Sequence, residues 1–131
     1  NSDEVFEIYS VPLNDGSIVR LNPPLQSGRD VLGDFSCLGQ RSQWDALNPS
    51  GVAPFLISPN SQRVVYCADQ DADDIVELYS APIATGSAAT KLNIPPGAGG
   101  GISSFEISPD SSRVVFESST LVAGAPQDQL Y

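Results

Sequence analysis

The sequence predicts an all-β protein built from repeated antiparallel strands, and three observations lead to this prediction. The block FLISPNSQRVVY, which begins at Phe55, returns as FEISPDSSRVVF at Phe105. Within each block apolar side chains recur at every second residue, as they do in a half-buried strand. The eleven Gly and eleven Pro are scattered between apolar runs, which is typical of a β-rich chain with many turns.

Two further blocks keep the same order along the chain. VFEIYSVPL begins at Val5, IVELYSAPI begins at Ile75, and a shortened QLY begins at Gln129. The segments IVRLN from Ile18 and ATKLN from Ala89 follow the first two of these. Because each block reads as a short strand, the repeating unit is predicted to consist of four antiparallel strands.

Four-stranded sheets repeated along a chain are typical of a β-propeller, in which each blade packs face to face on its neighbours. Inner strands of a blade are buried on both faces, which explains consecutive valines. The chain divides into the end of one blade (1–22), a long linker with a degenerate strand (23–54), a complete blade (55–93) and a third, incomplete blade (94–131). This amounts to about two to two and a half blades, whereas closed propellers have roughly four to eight. We therefore expect either association of several copies or a fragment of a larger propeller.

The blocks resemble the repeat of the TolB-like (WD40-like, PD40-type) β-propeller family. The order F-x-I-S-P-D-x-x-R-V-V, then E-L-Y-S-x-P, then K-L-N carries the resemblance, which covers most of the chain. Asn60 and Asp110 stand at the Asp place of that repeat, and its usual turn Gly is absent.

The resemblance implies a non-catalytic propeller module for protein–protein interaction or structural assembly, located in the periplasm or outside the cell. Its partners would be other copies of the chain or missing blades of the same propeller. Two alternatives stay open: the propeller of a prolyl-oligopeptidase-like hydrolase whose catalytic domain is absent here, and a propeller that binds Ca²⁺ or carbohydrate.

Composition excludes several functions. The net charge of -10 disfavours a nucleic-acid partner, because phosphate binding needs clustered Lys and Arg. The absence of His excludes a Ser-His-Asp triad and a His-ligated metal within this chain, and no G-x-S-x-G segment is present. We therefore expect no enzymatic activity and no cofactor other than a Ca²⁺ ion. No apolar run approaches the length of a membrane span, and the lack of an initial Met indicates a removed leader or a piece of a longer protein.

The candidate metal site is the acidic segment ADQDADD, with Asp69, Asp71, Asp73 and Asp74. Carboxylates two residues apart in a loop can converge on Ca²⁺. The Gly and Glu positions of an EF-hand loop are absent, so the alternative is a solvated hairpin tip that discourages edge pairing.

Asn60 and Asp110 are predicted to be structural turn residues, because an Asx side chain accepts hydrogen bonds from backbone amides two residues on. Arg63 and Arg113, which follow these turns, are expected to pair with carboxylates such as Glu77. The functional alternative for the two arginines is a ring that binds anions.

Two features of the sequence have no assigned role. Cys37 and Cys67 fit no metal or redox motif, and either a disulfide or two buried thiols would suit them. The long linker contains DVLGDFSCLG at 30–39 and the single tryptophan, Trp44, and is either a functional loop or drifted sequence packed at a blade edge.

Overall fold

The fold was obtained as a computed structural model. It describes residues 5–31, 55–73, 75–86, 89–93, 101–122 and 125–130. These residues form three open antiparallel sheets and no helix, which confirms the predicted all-β class. Accordingly, none of the described segments is a helix with the length and apolarity to cross a membrane. Trp44 and the segment 32–39 of the linker lie outside the described residues.

All three sheets are meanders in which each strand pairs with its neighbours in sequence. The first sheet contains β1 (Tyr9–Ser10) and β2 (Val19–Arg20). The middle sheet contains β3 (Phe55–Ile57), β4 (Arg63–Ala68), β5 (Glu77–Pro82) and β6 (Thr90–Lys91). The third sheet contains β7 (Gly101–Ile107), β8 (Val114–Val122) and β9 (Ala125–Leu130).

The β4–β5 pair of the middle sheet is covered on both faces, whereas the three residues of β3 are exposed. On one face Tyr66 of β4 stacks on Tyr79 of β5, with ring centroids 5.8 Å apart, and both belong to a cluster shared with the first sheet. On the other face Val65 and Cys67 belong to a cluster that includes Phe105 of the third sheet. Alternate side chains of β4 therefore pack against opposite neighbours, which is the physical reason for its consecutive apolar residues.

Cys67 lies near the end of β4, is fully buried and forms a disulfide. The chain has one other cysteine, Cys37, which lies outside the described residues. A disulfide constrains the unfolded chain and persists in oxidising compartments.

Equivalent glycines end the turns that follow β1 and β5, but they meet different surroundings. Gly16 and Gly86 have φ values of 71° and 56°, which favour glycine, and each donates its amide to the proline carbonyl four residues earlier. A Cβ at Gly86 would stand 2.2 Å from the carbonyl oxygen of Arg20, whereas one at Gly16 meets nothing within 4 Å. The turn at Gly86 therefore docks the middle sheet closely onto β2.

We expect Gly86→Ala to destabilise the fold by roughly 1–3 kcal/mol more than Gly16→Ala. Both changes carry the cost of a left-handed alanine, of about 1–2 kcal/mol, but only the first also forces β2 away from the middle sheet. Urea unfolding of both variants measures the difference. Equal losses would show that the contact with Arg20 does not hold the two sheets together.

Candidate functional site

The two Ser-Pro-Asx turns have the same hydrogen bonds. Asn60 Oδ1 accepts from the amide of Gln62 at 3.1 Å, and Asp110 Oδ1 accepts from the amide of Ser112 at 3.1 Å. The hydroxyls of Ser58 and Ser108 donate to Asn60 and Asp110 at 2.7 and 2.6 Å. The Asn60 amide and the Asp110 carboxylate therefore each stabilise their own turn, with the geometry of an Asx turn.

The position after Asn60 and Asp110 takes a left-handed conformation, with φ of 59° at Ser61 and 60° at Ser111. Glycine occupies such positions at lowest cost, whereas this chain has serine at both. The two turns are neighbours in space, because the amide of Asn60 donates to Ser111 Oγ at 3.0 Å. Equivalent turns of successive sheets thus lie side by side at one end of the sheets.

The expected pairing of Arg63 with Glu77 is wrong. Arg63 lies opposite Pro82 and Ala68 lies opposite Glu77, so the two charged groups stand at opposite ends of the β4–β5 ladder and on opposite faces. The guanidinium of Arg63 donates instead to Ser80, from Nε to Oγ at 2.7 Å and from Nη2 to the carbonyl oxygen at 3.1 Å.

Glu77 is the centre of a buried polar network in the middle sheet. Its side chain is 2% exposed and accepts from Tyr79 Oη at 2.7 Å and from Lys91 Nζ at 2.8 Å. Lys91 also pairs with Asp71 at 2.6 Å. Burial, then the bond to Glu77, raises the pKa of Tyr79 well above its usual range. Burial alone would lower the pKa of Lys91, but its bonds to Asp71 and Glu77 raise it.

The first sheet repeats this network at its surface. Glu7 accepts from Tyr9 Oη and from Arg20 Nη1, the latter at 3.1 Å. The hydrogen bond from Tyr9 lowers the pKa of Glu7. The pairing of these glutamates with Arg20 and Lys91 was not predicted from the sequence, although the signal is present as E-x-Y followed by R-L-N or K-L-N. The Asn that ends R-L-N and K-L-N also stabilises the fold. Asn22 and Asn93 accept hydrogen bonds from the backbone amides of Ile8 and Leu78 at 2.9 and 2.8 Å.

The structure directs the described carboxylates of the candidate Ca²⁺ site to different partners. Asp69 is buried and its Oδ1 accepts the amide of Asp30 at 2.5 Å, while Asp71 pairs with Lys91. Asp73 lies beside Gly28, and Asp74 lies outside the described residues. Among the described residues no group of three or more acidic, His or Cys side chains is arranged to hold a metal ion.

Asp69 belongs to a clip that joins the first and middle sheets. The amide of Asp69 donates back to the carbonyl of Asp30 at 3.2 Å, and the side chain of Asp30 accepts the amide of Phe6 at 2.7 Å. Arg29 donates to the carbonyl of Gln70 at 3.3 Å. The acidic segment is therefore tied to residues 29–31 by one backbone–backbone hydrogen bond and by the side chains of Asp69 and Arg29.

Asp110 is expected to titrate near pH 2. Hydrogen bonds from Ser108 and Ser112 lower its pKa from 3.8 to about 2. The charged carboxylate therefore stabilises the fold above pH 3.8, and this contribution is lost as the pH falls through about 2. The NMR shift of the Ser112 amide should follow that midpoint, while the Gln62 amide, bonded to the neutral Asn60, should not. A midpoint near pH 4 at Ser112 would contradict the turn geometry.

Glu77→Gln is expected to cost about 2–4 kcal/mol of unfolding free energy, because it leaves Lys91 without one partner of a buried ion pair. The matched control is Glu7→Gln, whose exposed pair with Arg20 is worth about 0–1 kcal/mol. Chemical denaturation measures both. Similar small losses would mean that burial adds nothing to the Glu77 network.

The comparisons with known proteins give no match. No protein-family model matches the chain, and neither a curated protein nor a solved structure is significantly similar to it. A functional proposal must therefore rest on a comparison within the chain. The same sequence blocks occur in different sheets, and their matching residues can be compared for burial and bonding.

Proposed function

We propose that the protein is a non-catalytic module of a TolB-like β-propeller that serves protein–protein interaction or structural assembly. Its first and third sheets would be completed by strands of other copies of the chain. The observation that carries this proposal is the contrast between buried residues of β5 and β7 and their exposed equivalents in β1 of the first sheet and β3 of the middle sheet.

The clearest contrast is between β3 and β7. Phe55 and Ile57 face the side of the first sheet, and they are 40% and 56% exposed. The equivalent Phe105 is 9% exposed, because it packs against the four-stranded middle sheet. In the described residues the first sheet has two strands, so nothing equivalent to β3 and β4 covers Phe55 and Ile57. Such an apolar face favours association with a partner.

The edge of the first sheet supports the same proposal. In the middle sheet β5 pairs with both β4 and β6, whereas its equivalent β1 pairs with β2 within the described residues. Tyr79 is 1% exposed under Tyr66, but the equivalent Tyr9 is 51% exposed. An unpaired strand edge beside exposed apolar side chains is a template for strand addition.

Two further observations fit an exported structural module. The disulfide at Cys67 is of the kind that persists in oxidising compartments such as the periplasm or the extracellular space. The chain also lacks His, the residue used most often in acid–base catalysis.

Light scattering coupled to size exclusion tests the assembly. We expect a particle heavier than one chain, and Ile57→Asp should shift it toward the monomer because it places a charge on the apolar face. The control Leu13→Asp introduces the same charge at a fully exposed turn residue and should leave the mass unchanged. A monodisperse monomer for the unmodified chain would contradict assembly from copies.

A further inference from the structure

A cleft opens between the middle and third sheets, beside the two Ser-Pro-Asx turns. Its volume is about 230 Å³. The floor is apolar and comes from both sheets, with Val65, Leu92, Ile107, Val114 and Phe116. The polar lining includes the buried residues Ser58 and Ser80 together with Arg63 and Arg113.

Arg63 gives the cleft a fixed positive group. The two bonds to Ser80 hold the guanidinium on the face of the middle sheet that looks toward the third sheet. A guanidinium carries five N–H donors in a planar fork, so donors remain for a ligand after Ser80 has taken two. Preorganised donors of this kind lose little conformational entropy on binding.

The guanidinium of Arg63 has no counter-charge among the described residues. The ion pairs there involve Arg20 and Lys91. The nearby carboxylate of Asp110 is exposed, does not line the cleft and already accepts hydrogen bonds from Ser108 and Ser112. A half-buried arginine that forms no ion pair with the described carboxylates keeps charged donors with which it can bind an anionic ligand.

We propose that this cleft binds a small organic carboxylate with an apolar body. The carboxylate would take the free donors of Arg63, and the body would lie on the apolar floor. The volume of about 230 Å³ is below the roughly 300–1,000 Å³ of sites for drug-sized ligands, so the ligand is small. The site is built within one chain and does not depend on the proposed assembly.

Titration of the full chain with phenylacetate, followed by ¹H–¹⁵N NMR, tests the site. We expect a Kd of about 1 mM, as befits a ligand of this size. Shifts should concentrate at the Arg63 Nε–H and at the amides of Ser80 and Leu92. The neutral isostere phenylacetamide and inorganic phosphate, which lacks the apolar body, should each bind about tenfold more weakly or not at all.

The matched variants are Arg63→Met, which should weaken phenylacetate binding at least about tenfold, and Arg29→Met, which should leave it unchanged. Arg29 bonds a backbone carbonyl at the clip and does not line the cleft. Equal binding of phenylacetate and phenylacetamide to the unmodified chain would overturn the proposal, whether or not Arg63→Met folds. Equal binding of phosphate would overturn the apolar half of the site, and shifts elsewhere would place the ligand outside the cleft.

Discussion

The burial of both faces of the β4–β5 pair is the constraint on which the rest of the structure depends. Because the first and third sheets cover the pair, residues 64–68 of β4 and 77–81 of β5 are buried on both faces. Apolar side chains satisfy this condition by packing, as Tyr66 does on Tyr79. A polar side chain must bring its own partners, and Glu77 meets this requirement through Tyr79 and Lys91. Within the described residues, no buried side-chain polar atom lacks a hydrogen-bond partner.

Equivalent residues of the first and middle sheets show how surroundings, rather than identity, set the energetic role of a side chain. Tyr9 and Tyr79 make the same bond to a glutamate two residues earlier, yet one is half exposed and the other is buried. An ion pair at the surface contributes little, since water and salt screen it, while a buried pair cannot lose one member without a large penalty. The glutamate–tyrosine–cation pattern therefore contributes little to stability in the first sheet, whereas the middle sheet requires it.

Neighbouring residues of the Ser-Pro-Asx turns have different roles: the Asx side chain closes the turn, and the arginine that follows lines the cleft. Asn60 and Asp110 close their turns through bonds within five residues, and so need no help from the neighbouring sheet. Arg63, three residues after Asn60, is held by Ser80 of the adjacent strand. The turn uses only the backbone of Arg63, whose amide and carbonyl bond Ser58, and this leaves the guanidinium available at the cleft between the sheets. The short segment 58–63 therefore contains both a locally stabilised turn and a residue of the cleft between the two sheets.

The sequence by itself determined the strands, their order and the turns between them. The alternation of apolar residues and the hydrogen bonds of an Asx turn each involve only a few neighbouring residues. Both can therefore be predicted from blocks such as FLISPNSQRVVY. Only the tertiary structure decided which side chains meet. Strand register brings Lys91, and not Arg63, to Glu77, because Lys91 lies opposite Tyr79 on the same face. It also decided which of two equivalent phenylalanines is buried, since Phe105 has a full sheet against it and Phe55 does not. The prediction of an all-β chain is confirmed because alternation and turn signals are local, whereas charge pairing, burial and the cleft depend on neighbours that are distant along the chain.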